Sequence, residues 1–356
     1  MDRLGATVDA ATARDLMLLR AQVPRKRVKE SLKFLAELFT SPSFPLSEVA
    51  KEKASQKLEY EKIRQDPRLA SISDAWEATF SKSPLAHPET GYPNTIEKLT
   101  PKILEEFDAG TRKKASLVIG VVAPQPENEL IHYANLAFEK IRITPHVQKY
   151  KLGPNRDFNV LSRPLKVKQT TFSVGIMTPG VSSSEYPALL LIDDYLGSER
   201  HYFGVLFEEL RVKRGLTYFA HSTLSALREH GLLTTYAGVK HENVSDALRL
   251  MLKTTVKLRE KPLPEKTVEQ LKTFHRQVMG TMLEVPYQAA TWLATNAFRG
   301  GKVDFESYLS DIDAVSPQTV RSIANKLLTP SHLALSIAGR PPTDRKLKNI
   351  MKEEIE

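Results

Sequence analysis

The 356-residue sequence contains no cysteine, which excludes disulfides, thiolate nucleophiles and any cysteine-ligated metal. No apolar run is long enough to cross a bilayer as a helix. The first residues, Met1-Asp2-Arg3-Leu4-Gly5, hold neither the apolar core of a secretory signal nor an arginine-rich leader. The nine histidines (87, 132, 146, 201, 221, 230, 241, 275 and 332) include no pair four apart. No single helix therefore presents two imidazoles to one metal ion. Low-complexity tracts are also missing.

What is present is the composition of a soluble globular chain, 41% apolar and 26% charged. The net charge of +9 is scattered over Arg25-Lys26-Arg27, Arg112-Lys113-Lys114, Arg211 to Arg214 and Lys346 to Lys352. None of these clusters is interleaved with aromatics in a nucleic-acid-reading pattern, so solvated faces or a peptide-facing wall is the expectation. No membrane insertion is expected. The compartment is left unknown, with cytoplasmic as the default and mitochondrial or periplasmic open if a front segment is missing.

The two halves read as one unit written twice. Val28 and Leu32 match Val244 and Leu248 at an offset of 216 residues, and Pro67 and Ala70 match Pro286 and Ala289 at 219. Pro45 and Val49 match Pro264 and Val268 at the same 219. The offset returns to 216 for Ile96, Thr100 and Pro101 against Ile312, Ser316 and Pro317, and Leu117-Val118-Ile119 then pairs with Leu333-Ala334-Leu335. Nothing in the first copy matches residues 166 to about 213, so it lacks a leading strand and the helix after it.

In the second copy, Thr170 to Met177 alternates polar and apolar residues as a half-buried strand does. Ser182-Ser183-Ser184 offers N-caps for a helix to about Leu196, and Phe203 to Arg211 reads as a further helix. Leu216 to Leu224 and Leu232 to Val239 read as a hairpin around Glu229-His230-Gly231. Helices follow over Asn243 to Leu258, then to about Met282, and from Pro286. Pro317, behind Ser316, opens another before the strand His332 to Ala338. Helix runs between antiparallel strands predict an α+β fold. The boundaries are a first domain over 1–145, a linker over 146–165, a second domain over 166–340 and a lightly packed charged tail over 341–356.

Glu208-Glu209-Leu210-Arg211-Val212-Lys213-Arg214-Gly215-Leu216-Thr217-Tyr218 resembles the Glu-Leu-Arg-x-x-x-Gly-Leu-x-Tyr signature of the pitrilysin/insulinase zinc peptidases. That family includes the mitochondrial processing peptidase and the core subunits of the cytochrome bc1 complex. Gly231-Leu232-Leu233 with Tyr236-Ala237-Gly238, and Leu4-Gly5-Ala6 with Thr12-Ala13-Arg14-Asp15, are similar to its neighbouring strands. The resemblance implies two homologous α+β sandwich domains, and it implies that Arg211 and Tyr218 bind substrate backbone near the scissile bond. An arginine fork that clamps a carbonyl and a tyrosine hydroxyl that donates to it suit that role.

The family's His-x-x-Glu-His helix is absent, and its place falls in the missing front of the first copy. The resemblance, aligned on Asp66-Pro67, matches Glu59 to the family's third zinc ligand, a relic in that reading, with Glu61 as the neighbouring register; the plainer reading is a charged exposed helix over Lys51 to Gln65. No catalytic or metal residue is therefore assigned to this chain, and zinc is expected in a partner or in missing upstream sequence. The loop Leu196 to Gly204 departs from the family, with Val205 where an arginine usually stands. His201 and His221 read as surface or structural histidines. Asp193-Asp194 and Glu208-Glu209 read as surface charges of helices.

The resemblance implies a non-catalytic, substrate-binding subunit that forms a heterodimer with a zinc-bearing family peptidase and serves peptide cleavage. Two alternatives stay open: an N-terminally incomplete active zinc metallopeptidase, and a structural subunit like the bc1 cores. A sheet deprived of a strand exposes unpaired backbone and apolar surface. The purified chain is thus expected to self-associate through the first copy. A clean, stable monomer in light scattering would contradict this.

Overall fold

The structure, a computed structural model, describes residues 5–112, 114, 116–141, 152, 158–199 and 204–355. The first half forms the hairpin β1 (Thr7–Thr12) and β2 (Met17–Gln22), then α1 (Val28–Thr40), α2 (Leu46–Gln65) and α3 (Pro67–Thr79). A short α4 (Pro93–Ile96), α5 (Pro101–Arg112) and α6 (Glu127–Phe138) follow. The second half opens with β3 (Asn159–Pro164), β4 (Thr170–Pro179), α7 (Tyr186–Leu196) and a single turn, α8 (Val205–Phe207). It continues through β5 (Thr217–Ala226), β6 (His230–Val239), α9 (Val244–Glu260), α10 (Glu265–Leu283) and α11 (Pro286–Arg299). Last come α12 (Phe305–Asp313), α13 (Pro317–Leu327), β7 (Leu333–Gly339) and α14 (Asp344–Ile355). The fold is α+β.

The chain divides into two compact units, neither continuous in sequence. The first holds Met1–Leu58, Glu89–Lys149 and Met279–Val303; the second holds Glu59–Pro88, Tyr150–Val278 and Asp304–Glu356. Each unit therefore takes one helix from the opposite half of the chain: α11 in the first, α3 in the second.

The second unit is built on a five-stranded sheet, order β3-β7-β4-β6-β5, antiparallel except where β3 runs parallel to β7. α3 packs on β4 and β7. Its N-cap Asp66 accepts the amides of Arg68 and Leu69 at 2.8 Å each, and Pro67 opens the helix. Small residues let it approach the sheet. Ser71 takes the Ser173 hydroxyl at 2.9 Å on its own hydroxyl and the Ser336 hydroxyl at 2.6 Å on its carbonyl. Asp74, buried, is held by Arg64 and by Arg163 from β3, at 2.7 and 3.1 Å from the latter. At the helix end, Trp76 stacks on Phe80 at 5.2 Å, in a core with Leu85, Leu227 and Leu232.

The repeat is visible in matched bonds. Lys53 Nζ donates to the Glu97 carbonyl at 2.8 Å in the first unit, and Lys272 Nζ donates to the Asp313 carbonyl at 2.8 Å in the second. Lys57 pairs with Glu97 as Arg276 pairs with Asp313. α11 is anchored by Tyr287 to Asp9 at 2.7 Å and by Arg299 to Asp15 at 2.8 and 3.0 Å. A Cβ on Gly120 would lie 2.6 Å from the Ala290 carbonyl. Positions 120 and 290 are the counterparts of Ser336 and Ser71, so residues 117–122 rest on α11 as β7 rests on α3.

Several sequence expectations are corrected. Leu117 to Ile119 forms no strand: its counterpart in β7 is paired on both sides, by β3 and β4, whereas no described residue pairs with 117–119. The span read as a linker ends in the paired strand β3, while residues 146–157 apart from Leu152 lie outside the described residues. The charged tail is not lightly packed: α14 buries Leu347, Ile350, Met351 and Ile355, and α9 packs against it. α7 starts at Tyr186 behind Glu185, and Ser183 takes the Glu185 amide at 3.1 Å rather than capping the helix.

Removing the buried Asp74 carboxylate takes away the shared partner of two half-buried guanidinium groups, of which Arg64 keeps Glu77 at 3.7 Å. Asp74→Ala is expected to lower the unfolding free energy of the second unit by about 3–5 kcal/mol. Breaking the exposed Glu48–Lys51 pair with Glu48→Gln is expected to change it by less than about 0.5 kcal/mol. Urea unfolding of both variants checks the contrast.

Candidate peptide-binding site

The segment Glu208 to Tyr218 leaves regular structure twice. After α8 the chain widens into a π-turn, Glu208–Val212, with the Lys213 amide bonded to the Glu208 carbonyl at 3.0 Å. The helix read over Phe203 to Arg211 is thus one α-turn followed by a π-turn. Gly215 then takes φ +62°, a left-handed conformation that favours glycine. The Leu216 amide closes the turn on the Leu210 carbonyl at 2.8 Å. In β5 the pairing jumps from Thr217↔Val239 to Phe219↔Gly238, so Tyr218 is the extra residue of a β-bulge.

The two irregularities put Arg211 and Tyr218 side by side. The Arg211 guanidinium lies 5.5 Å from the Tyr218 ring centroid, a cation–π distance. Its only hydrogen-bond partner among the described residues is the Thr217 carbonyl, at 3.3 Å. Tyr218 is 75% exposed, while Thr217 before it is buried. The Thr217 hydroxyl sits 2.5 and 2.6 Å from the Phe219 and Gly238 carbonyls and accepts the Phe219 amide at 3.1 Å. That buried hydroxyl replaces the ladder bonds the bulge disrupts and fixes where Tyr218 points outward.

Neighbouring charges are tied down. Glu209 takes Lys213 at 2.8 Å and Arg214 at 2.6 Å, and those two hydrogen bonds hold its carboxyl below the ordinary range. Of the four residues Arg211 to Arg214, the two cations beside Arg211 are therefore neutralised locally. Arg211 keeps most of its N–H donors open to solvent. β5 is also an edge strand, covered at Ser222 by Gly197 and Glu199.

The sequence-derived candidates divide. Arg211 and Tyr218 are brought together. Glu59 is exposed on α2, 3.5 Å from Lys62, and Glu61 is exposed beside it. Among the described residues no group of three His, Asp or Glu side chains is arranged to hold a metal ion. The donors of the described residues do not fit a zinc site.

His201 and the loop residues 200–203 lie outside the described residues, and Val205 begins α8. His221 is half-buried, stacked on Phe219 and close to Tyr236. Asp193 and Asp194 are not surface charges: both are buried, and Asp194 accepts from His275 Nδ1 at 2.8 Å, whose Nε2 lies 2.7 Å from the Tyr308 hydroxyl. The π-turn, the bulge and the Thr217 anchor have no sequence signal beyond Gly215 itself.

The family model described as Insulinase (Peptidase family M16) matches residues 1–90, and that described as Peptidase M16 inactive domain matches residues 98–274. The chain belongs to peptidase family M16. A Bacillus subtilis (strain 168) relative named as an uncharacterized zinc protease is 22% identical over 350 residues, 96% of this chain and 83% of that protein. A Mycobacterium tuberculosis (strain H37Rv) protein with a like name is 23% identical over 340 residues, 92% of this chain and 76% of its own length. Among solved structures, the peptidase M16 inactive domain from Pseudomonas fluorescens superposes with a TM-score of 0.82 at 18% identity, covering 96% of this chain and 82% of that one. A chain of complex III2 from Candida albicans gives 0.78 at 16%, covering 98% and 86%. These superpositions show the fold.

Burial lowers the His221 pKa below its ordinary 6.5, with Glu199 and a backbone bond to Gly197 acting weakly the other way. The unfolded chain therefore binds a proton there at pH values where the folded chain does not. The stability this provides is complete above about pH 6.5 and is lost as pH falls below it. His221→Phe, which keeps the stack on Phe219, is expected to flatten the loss of stability between about pH 6.5 and about pH 5. His332, shifted the same way by burial, leaves a residual slope. Thermal melts across this range check it.

Proposed function

We propose that this M16 chain is a non-catalytic, substrate-binding subunit that works with a zinc-bearing family peptidase on peptide substrates. The observation that carries the reading is the Arg211–Tyr218 pair: a cation and a phenol held together by a π-turn and a bulge, on an edge strand. Irregular backbone of this kind is concentrated at functional sites. Arg211, with one weak partner at 3.3 Å, has donors to spend on a peptide carbonyl, and the Tyr218 hydroxyl can give one more hydrogen bond.

In this reading the chain positions a peptide and polarises its backbone. In it the metal chemistry belongs to the partner, a reading supported by the lack of a zinc-holding group of donors among the described residues. Arg211 is a substrate-binding residue. Tyr218 both contacts substrate and, through its ring, holds the guanidinium in place. The likeness to a complex III2 chain carries the fold alone and favours no scaffold role. An incomplete active enzyme would bind zinc through sequence outside this chain.

The test is reconstitution with a zinc-bearing M16 peptidase and a peptide assay. The chain alone is expected to show neither turnover nor stoichiometric zinc by elemental analysis. With the partner, Arg211→Ala is expected to lower kcat/KM by roughly 10–100-fold, and Tyr218→Phe by less. Both residues are exposed, so melting temperature stays within a few degrees of the parent. Unchanged kcat/KM in both variants, or turnover by the chain alone, would overturn the reading.

A further inference from the structure

Farther along β5 from the Arg211–Tyr218 pair lies a second group of polar side chains. His221 and Tyr236 are cross-strand partners on one face of the sheet, with ring centroids 6.0 Å apart. Phe219 stacks on His221 at 6.5 Å and 9°. Tyr236 is fully buried, and its hydroxyl donates to the carboxylate of Glu199, an exposed residue. Burial first, then that bond, pushes the Tyr236 hydroxyl up, so it stays a donor at neutral pH.

Glu199 stands on a strap that closes part of the outer edge of β5. Residues 197–199 follow α7 and are pinned to its end, the Gly197 and Ser198 amides each bonding to the Asp193 carbonyl at 3.0 Å. The strap then brackets Ser222. The Ser222 amide bonds to the Gly197 carbonyl at 2.8 Å, and the Glu199 amide bonds to the Ser222 carbonyl at 3.2 Å. Among the described residues no other segment pairs with that edge. The edge is therefore open beside Arg211 and Tyr218 and blocked at Ser222, about 13 Å from Tyr218 along an extended strand. A peptide lying along the open stretch must end or turn away at the strap. Charge decides which end suits it. The charged groups acting on Tyr236 there are Glu199 and Asp193 against Arg68, two carboxylates against one guanidinium. Burial holds His221 below its ordinary pKa, so it adds no positive charge at neutral pH. The balance is negative, which favours an amino end and disfavours a carboxyl end.

We infer that Glu199 binds the α-ammonium group of a bound peptide, with the strap as the stop that places it. The inference rests on the reading that Arg211 and Tyr218 hold a peptide's backbone, and it adds a fixed length to that reading. Roughly four extended residues separate the held carbonyl from the ammonium group. An amino end donates charge-assisted hydrogen bonds, and a carboxylate already oriented by the buried Tyr236 accepts them with little ordering left to do.

The test is fluorescence anisotropy on the full chain with peptides of about nine alternating Ala and Ser residues, long enough to span both points, labelled at the carboxyl end. One has a free amino end, one is acetylated, and one is acetylated with lysine in first place. At about pH 7, where an α-amino group is mostly charged, the free peptide is expected to bind roughly tenfold more tightly than the acetylated one. Glu199→Gln, which keeps an acceptor for Tyr236, is expected to remove that preference. Glu229→Gln, an equal change of charge at the turn between β5 and β6, leaves it. Arg211→Ala is expected to weaken the free and acetylated peptides alike. If it weakens neither, the reading of Arg211 fails, while the ratio of free to acetylated binding still decides this inference. Equal binding of the free and acetylated peptides overturns it, as does a preference that survives in Glu199→Gln. Acetylated lysine peptide bound as tightly as the free one assigns the carboxylate to a basic side chain, and that result overturns it too.

Discussion

The packing of α3 against β4 and β7 is the constraint on which the rest of the structure depends. A helix can approach a sheet that closely only with small residues at the contact. Ser71 meets Ser173 and Ser336 there, and the buried Asp74 is neutralised by Arg64 and Arg163. α3 comes from the first half of the chain and its sheet from the second. The reciprocal contact, α11 beneath residues 117–122, uses Gly120 against the Ala290 carbonyl. Because each unit borrows a helix from the other half, neither half of the sequence contains a complete core, and the repeat persists as structure as well as sequence.

The candidate site stands on the completed unit. A π-turn and a bulge are backbone departures that persist only when their surroundings over-determine them. Here Leu210 and Thr217 are buried on either side of Gly215, and Thr217 ties the bulge to the Gly238 carbonyl. Arg211 and Tyr218 are consequently exposed residues on rigid supports, a condition that favours binding over packing. The first unit has the matching hairpin β1–β2, and the positions equivalent to Thr217 and Tyr218 lie outside the described residues.

Much of this was legible in the sequence. The repeat offsets, the α+β class, the second-copy strands and the Arg-to-Tyr signature all follow from residue patterns with strong local causes. What escaped depends on distant partners. Asp193 and Asp194 look like surface charges because ionisable helix residues usually are; Asp194 is buried only because His275 and Tyr308 meet it from elsewhere in the chain. Residues 117–119 have strand composition but no neighbour to pair with. In the tail, Leu347, Ile350 and Met351 carry a helical spacing that the surrounding lysines and glutamates obscured. The exchange of α3 and α11 leaves almost no local trace, since small residues at a contact resemble small residues anywhere.

The central claim is that the first unit repeats the second unit's fold, and that among the described residues β2 and residues 117–122 lack the pairing β4 gives β6 and β7. Hydrogen–deuterium exchange on the intact chain tests it most directly, because matched segments are compared within one molecule. Slow exchange is predicted for β6 and β7, with at least about a hundredfold faster exchange for β2 and residues 117–122. Equal protection of the matched segments would show that β2 and residues 117–122 are as well paired as β6 and β7, and would contradict the account.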